Sequence, residues 1–153
     1  MFKWRSFLLR VFGARIGRDV HIYPSVEICI PWNLSIGNES CIGENALIYN
    51  LGLVKIGDQV TVSHRAHLCA GTHDYSNPTL PLLRQPTTIE SQAWVCADAF
   101  VGPNVTIAKG AIVGAGCVIV KDVPAWAIFA GNPARFIKTR QIRESMREPV
   151  LPI

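Results

Sequence analysis

Charge is scarce in this chain. Only 17% of its 153 residues are charged, against about a quarter in an ordinary soluble domain, while 49% are apolar. That excludes a disordered or polyampholyte chain, and part of the surface is expected to be buried against other copies of the chain. Long hydrophobic runs are missing too: none approaches the ~18–20 residues that span a bilayer. The stretch Phe7-Leu8-Leu9 is cut by Arg10 and lacks a small-residue cleavage site, so it does not read as a signal peptide. The five cysteines (Cys29, Cys41, Cys69, Cys96 and Cys117) are odd in number and hold no CxxC pair. This argues against a disulfide framework or a structural zinc site, and they read as reduced thiols of a cytoplasmic protein. Walker and dinucleotide glycine motifs are absent, as is any recognisable nucleic-acid module. The length suits one domain.

The net charge of +4 is unevenly placed. Lys3, Arg5, Arg10, Arg15 and Arg18 open the chain; Lys121, Arg135, Lys138, Arg140, Arg143 and Arg147 follow the apolar middle. Such ends suit nucleic acid, a membrane surface or a phosphorylated cofactor. Without a nucleic-acid module, the phosphates of a cofactor fit them better.

Against these absences stands a repeat. Aliphatic residues recur every six positions: Ile16, Ile22, Ile28; Ile36, Ile42, Ile48; Ile56, Val62, Leu68; Ile89, Val95, Val101; Ile107, Val113, Ile119. All fifteen are Ile, Val or Leu, where chance would put about 4 at fifteen arbitrary sites. Four residues after each comes a small or β-branched residue, Trp32 being the exception. Gly17, Gly37, Gly43, Gly57, Gly102 and Gly114 directly follow an aliphatic, where a tight corner is expected to need them. Period six fits neither a helix nor a plain strand; it fits a short strand plus a turn. Three such units close a triangular coil of eighteen residues, and coils stack with strand-like spacing. The phase slips after Asn33, Leu53 and His73, always after a third hexad, giving coils 16–33, 36–53, 56–73, 89–106 and 107–124. At about 4.8 Å per coil the prism is roughly 24 Å tall. An unrelated all-β barrel needs turn signals every 8–12 residues and cannot explain this register.

The domain layout follows. Residues 1–15 form an N-terminal helical cap, 16–124 the β-helix with a loop insertion at 74–88, and 125–153 a C-terminal extension with a helix over 139–148. Over 2–13, an amphipathic helix has Phe2, Trp4, Phe7, Leu8 and Val11 available for burial. It reads either as a lid over the first coil or as a basic interfacial helix in peripheral membrane contact. The insertion is the one long loop in the repeat, and long loops in compact domains are usually functional. His73 stands at its root, at an outward corner. Its Pro78, Pro81 and Pro86, with Leu80, Leu82 and Leu83, suggest an ordered loop.

The hexads over 16 to about 140 resemble the left-handed parallel β-helix of the hexapeptide-repeat O-acetyltransferases. Gly71-Thr72-His73-Asp74-Tyr75-Ser76, Ala93-Trp94, Gly114-Ala115-Gly116, Lys121-Asp122-Val123-Pro124 and Gly131-Asn132-Pro133-Ala134-Arg135 narrow the resemblance to the sugar acetyltransferases. With Ile48-Tyr49-Asn50-Leu51-Gly52 it extends to the colanic-acid-type exopolysaccharide enzymes. The resemblance implies an all-β fold and a homotrimer that moves an acetyl group from acetyl-CoA, lying between two subunits, to a hydroxyl of a saccharide acceptor. No metal is required. It makes His73 the catalytic general base, places Asn50 and Asp74 at the substrate, and assigns Trp94, Ala115, Lys121, Arg135 and Lys138 to the cofactor. An imidazole, with an ordinary pKa of about 6.5, can take a hydroxyl proton at neutral pH. Asn50 also reads as a ladder or corner asparagine, and Trp94 as a packing residue. The chain departs from the pattern at Val120, Cys96 and Ala97.

Other readings remain. A non-catalytic β-helix that scaffolds or binds through its loop is the alternative from another class. The γ-class carbonic anhydrases share the architecture, but His21, His64, His67 and His73 do not reproduce their metal-ligand pattern. An acyl-cysteine route would need Cys69 or Cys96, and no nearby histidine is implied for Cys96.

Overall fold

An inward aliphatic every sixth residue builds three columns, one behind each face of a prism. The computed structural model of the protein describes residues 2–142. Its first face stacks Arg15–Ile16, Leu34–Ile36, Val54–Ile56, Thr87–Ile89 and Thr106–Ile107 in parallel. The second stacks His21–Ile22, Cys41–Ile42, Thr61–Val62, Trp94–Val95 and Ile112–Val113, and the third Glu27–Ile28, Leu47–Tyr49, His67–Cys69, Phe100–Val101 and Val118–Ile119. The register is the one the hexads predict. Ile16, Ile36, Ile56, Ile89 and Ile107 lie level along the first face, and Ile28, Ile48, Leu68, Val101 and Ile119 along the third. Nearly every column member is fully buried, each contributing about 1.5–3 kcal/mol of transfer free energy. The result is a five-coil parallel β-helix.

Corners show a division of labour that differs from expectation. The left-handed backbone falls three residues after ten of the fifteen inward aliphatics, at Asp19, Asn45, Gln92 and Asn104 among others, and at Gly110 and Gly116. The glycines directly after the aliphatic are needed for another reason. A Cβ on Gly37 would lie 2.6 Å from the carbonyl carbon of Gly57, and one on Gly43 2.7 Å from the nitrogen of His64. They let one coil sit down on the next. At the first slip, the single-turn 3-10 segment Pro31–Asn33 turns Trp32 outward, which removes the exception from the inward set.

Both ends also depart from expectation. Helix α1 (Phe2–Val11) caps coil one, yet Trp4, Phe7, Leu8 and Val11 face outward, and Ser6 and Leu9 face the coil. The cause is the open edge: coil one has no preceding coil to donate to its carbonyls. Arginines supply the donors instead. Arg10 reaches the carbonyls of Ile16 and Gly17 at 3.0 and 2.7 Å, and Arg5 those of Pro24, at 2.7 Å, and Val26. At the far end the stack runs past residue 124. Ala127–Ala130 adds to the second face, and Arg135–Thr139 folds back antiparallel upon it. Thr139 thus closes a strand, and most of the helix expected over 139–148 lies outside the described residues. Among the described residues no helix is long and apolar enough to cross a membrane.

Candidate active site

The insertion leaves the prism at the corner between the third and first faces. Thr72–His73 pairs antiparallel with Leu82–Leu83, and Thr87 and Thr88 already belong to the next coil. Side-chain turns, rather than prolines, shape the hairpin. Asp74 Oδ1 accepts from the Ser76 amide and hydroxyl at 2.9 and 2.5 Å, and Asn77 Oδ1 accepts from the Thr79 amide and hydroxyl at 3.0 and 2.9 Å. The Ser76 donors hold the Asp74 carboxyl below the usual carboxylate range. Asp74 Oδ1 is therefore committed to capping the turn.

His73 is exposed, and its Nδ1 lies 2.5 Å from the carbonyl oxygen of Leu80. A carbonyl only accepts, so Nδ1 carries the hydrogen and Nε2 keeps its lone pair. The hairpin holds Leu80 at φ +47, a left-handed conformation that a leucine adopts at a cost. Sequence reasoning missed this carbonyl because a backbone group leaves no residue-type signal.

Two coils further along the same corner, a cavity of about 490 Å³ is lined by Lys121, Arg135, Phe129 and Asn132 among others. Coil spacing separates the two levels by about 10 Å along the axis. His73, Lys121 and Arg135 thus share one edge of the chain. Trp94, Ala115 and Lys138 do not. Trp94 lies on the second face, its indole N–H 2.9 Å from the Ser63 hydroxyl. Ala115 is exposed on the turn between the second and third faces, and Lys138 is opposite Ile128 on the outer strand.

Asn50 takes the corner position that its alternative reading foresaw. It is 0% exposed, its Oδ1 accepting from the Ile30 amide at 3.0 Å and its Nδ2 donating to the Ile30 carbonyl at 2.5 Å. Both polar atoms of its amide bond the backbone of the preceding coil, so in the single chain it braces the corner. The cysteines fit an acyl carrier poorly: Cys69 is buried with its thiol toward the Gly71 carbonyl, and burial pushes the Cys96 and Cys117 thiols up. The four histidines are dispersed over different strands and turns, and among the described residues no three metal-ligating side chains converge.

Past the exposed Glu27 of coil one, the outer surface of the third face is mostly apolar. Leu47, His67, Phe100 and Val118 lie level with one another, and the His67 ring meets Tyr49 and Phe100 edge-on at 6.3 and 5.1 Å. His67 Nε2 is buried without a partner among the described residues, and burial pushes this imidazole's pKa down. The outward residues of the first face are Arg15, Ser35, Lys55, Thr88 and Thr106.

The family described as bacterial transferase hexapeptide (six repeats) matches residues 86–121. The colanic acid biosynthesis acetyltransferase WcaF of Escherichia coli (strain K12) is 40% identical over 140 residues, covering 92% of this chain and 77% of that protein. The galactoside O-acetyltransferase of the same organism is 28% identical over 141 residues, covering 88% and 68%. Among solved structures, the hexapeptide-repeat acetyltransferase VCA0836 of Vibrio cholerae O1 biovar eltor, complexed with acetyl coenzyme A, aligns with a TM-score of 0.84 at 22% identity, covering 92% and 78%. The maltose O-acetyltransferase of Clostridium difficile 630 aligns with a TM-score of 0.83 at 21% identity, covering 92% and 77%. With its coils, its hairpin at the third corner and this degree of identity, the chain belongs to the hexapeptide-repeat acetyltransferases.

Proposed function

We propose that the protein moves an acetyl group from acetyl-CoA to a sugar hydroxyl in exopolysaccharide assembly, as a cytoplasmic homotrimer with His73 as general base. The observation that carries this reading is the orientation of the His73 ring, whose Nε2 lone pair is free while Nδ1–H is held by Leu80. Nε2 takes the hydroxyl proton as the sugar oxygen attacks the thioester carbonyl. The imidazolium then returns a proton to the departing thiolate, so no acyl-enzyme is needed. Lys121 and Arg135, on the same edge, suit the phosphates of coenzyme A, Arg through its planar fork. Trp94, Ala115 and Lys138 lie away from that edge, which supports a site completed by a neighbouring subunit. The mostly apolar run Leu47, His67, Phe100 and Val118 on the outside of the third face supports the same assembly, and the five free cysteines support a reducing compartment.

Thiol release from acetyl-CoA, measured against a panel of sugars, tests the reading. Turnover with at least one acceptor is expected, and Arg135→Ala should raise the KM for acetyl-CoA and weaken its salt dependence while leaving the acceptor KM nearly unchanged. Acetyl-CoA binding with no thiol release on any acceptor would favour the scaffold alternative.

A further inference from the structure

Helix α1 presents to solvent the side that an amphipathic cap would bury. Trp4, Phe7, Leu8 and Val11 follow the i, i+3, i+4, i+7 spacing of one helical stripe, and Trp4 and Val11 are 64% and 63% exposed. The Trp4 and Phe7 rings stack at 5.7 Å, and exposed Phe12 extends the patch. Arg5 and Arg10 tie the other side of the helix to coil one, so the stripe is held rigidly outward.

Charge points the same way. The first acidic residue of the chain is Asp19, after five basic ones. Beside the helix, Lys3, Arg10 and Arg18, with Asp19, line a cavity of about 550 Å³. Ser6 also lines it; the residue is 5% exposed, and its hydroxyl has no partner among the described residues. An aromatic and aliphatic stripe beside a cationic cavity matches what an anionic bilayer offers: an acyl boundary for the rings and phosphates for the cations. Apolar burial and attraction to anionic lipid add in holding such a helix at the interface.

We propose that α1 docks the protein on an anionic bilayer surface, with the apolar stripe in the headgroup–acyl boundary and lipid phosphate at the Lys3–Arg18 cavity. Co-sedimentation of the full chain with phosphatidylcholine vesicles, with and without phosphatidylglycerol, tests it. The wild type is expected to partition at least about tenfold more strongly onto the anionic vesicles, and salt should release it. Trp4→Ala with Phe7→Ala should lose at least about tenfold of that partition, and so should Lys3→Glu with Arg18→Glu. Failure of the wild type to sediment with anionic vesicles overturns the proposal, as does undiminished binding by either double variant. A fall in oligomer mass for the Trp4/Phe7 variant in light scattering also overturns it, since a second copy would then cover the stripe. Binding is read here without turnover, so this result and the acetyl-transfer result stand or fall separately.

Discussion

A carbonyl cannot donate, so the position of Leu80 decides which imidazole nitrogen of His73 holds the proton. That single contact gives the ring an outward lone pair at the one corner where the chain leaves its repeat. A general base contributes about 10²–10⁴-fold in rate. His73→Ala and His73→Asn should each lower kcat by at least about 10²-fold, with acetyl-CoA binding intact. The ascending limb of the wild-type pH–rate profile should vanish in both. Because the ring is exposed, removing it leaves no cavity, and thermal stability should hardly change; near-normal turnover by folded His73→Ala would exclude the base role. Asn50 should behave in the opposite way. Its truncation strands the amide of Ile30, at a cost of about 1–3 kcal/mol when buried and unpaired, while the Ile30 carbonyl keeps the Asn33 amide. Asn50→Ala is expected to lower Tm by several degrees, with little change in kcat for the molecules that remain folded. A large kcat loss at unchanged Tm would restore it to the substrate.

The hexad was legible as an element because one side-chain class at a fixed period has few physical explanations: each column buries apolar area, and slippage by one residue would expose it. What the period could not convey was why particular residues stand between the columns. The glycine after six of the aliphatics and the left-handed residue found two positions further on at most corners answer to different constraints, inter-coil contact and backbone sign. This separates two otherwise similar substitutions. Gly116→Ala meets nothing within 4 Å but must hold φ +65, a cost of about 1–2 kcal/mol. Gly37→Ala has an ordinary φ, but its Cβ would press on the Gly57–Asp58 backbone, so two coils must part. Chemical denaturation should show the greater loss for Gly37→Ala, and the reverse order would refute this account of the corner. The orientation of α1 and the strand Ala127–Ala130 escaped sequence reasoning for related reasons. Helical spacing of Trp4, Phe7 and Leu8 marks a stripe but not what it faces, and the unpaired carbonyls of coil one chose the arginine side. Past Val123 the chain keeps stacking without keeping the period, so Ile128 and Phe129 carried no hexad signal. Motif and order offered His73, Lys121 and Arg135 as candidates, and they share one edge, whereas the Leu80 carbonyl and the burial of Asn50 depend on folded contacts alone.

At the scale of the whole molecule, two faces of the prism differ as an interior differs from a surface. The outer column of the third face runs Glu27, Leu47, His67, Phe100 and Val118, apolar or aromatic past its first member, while that of the first carries Arg15 and Lys55. An apolar column on a chain with few charges suits a subunit seam. His67 sits in the middle of it, and burial already lowers its pKa in the single chain. The folded ring therefore binds its proton less readily than the unfolded one. The stability contributed by the neutral ring is present above the ordinary imidazole value of about 6.5 and is lost as the pH falls through it toward the lowered folded value. Closing a seam over His67 would deepen that burial, so acid should open the proposed trimer. Light scattering at micromolar concentration is expected to give a trimer at neutral pH and falling mass on acidification, with His67→Phe holding its mass to lower pH. Phe100→Glu, which sets three carboxylates into the seam, should give folded monomers at every pH. Those monomers should lose acetyl transfer, because the groups on the His73 edge then have no neighbour to supply Trp94, Ala115 and Lys138. A wild-type monomer at neutral pH, or a Phe100→Glu trimer with full activity, would place the seam elsewhere or remove the need for one.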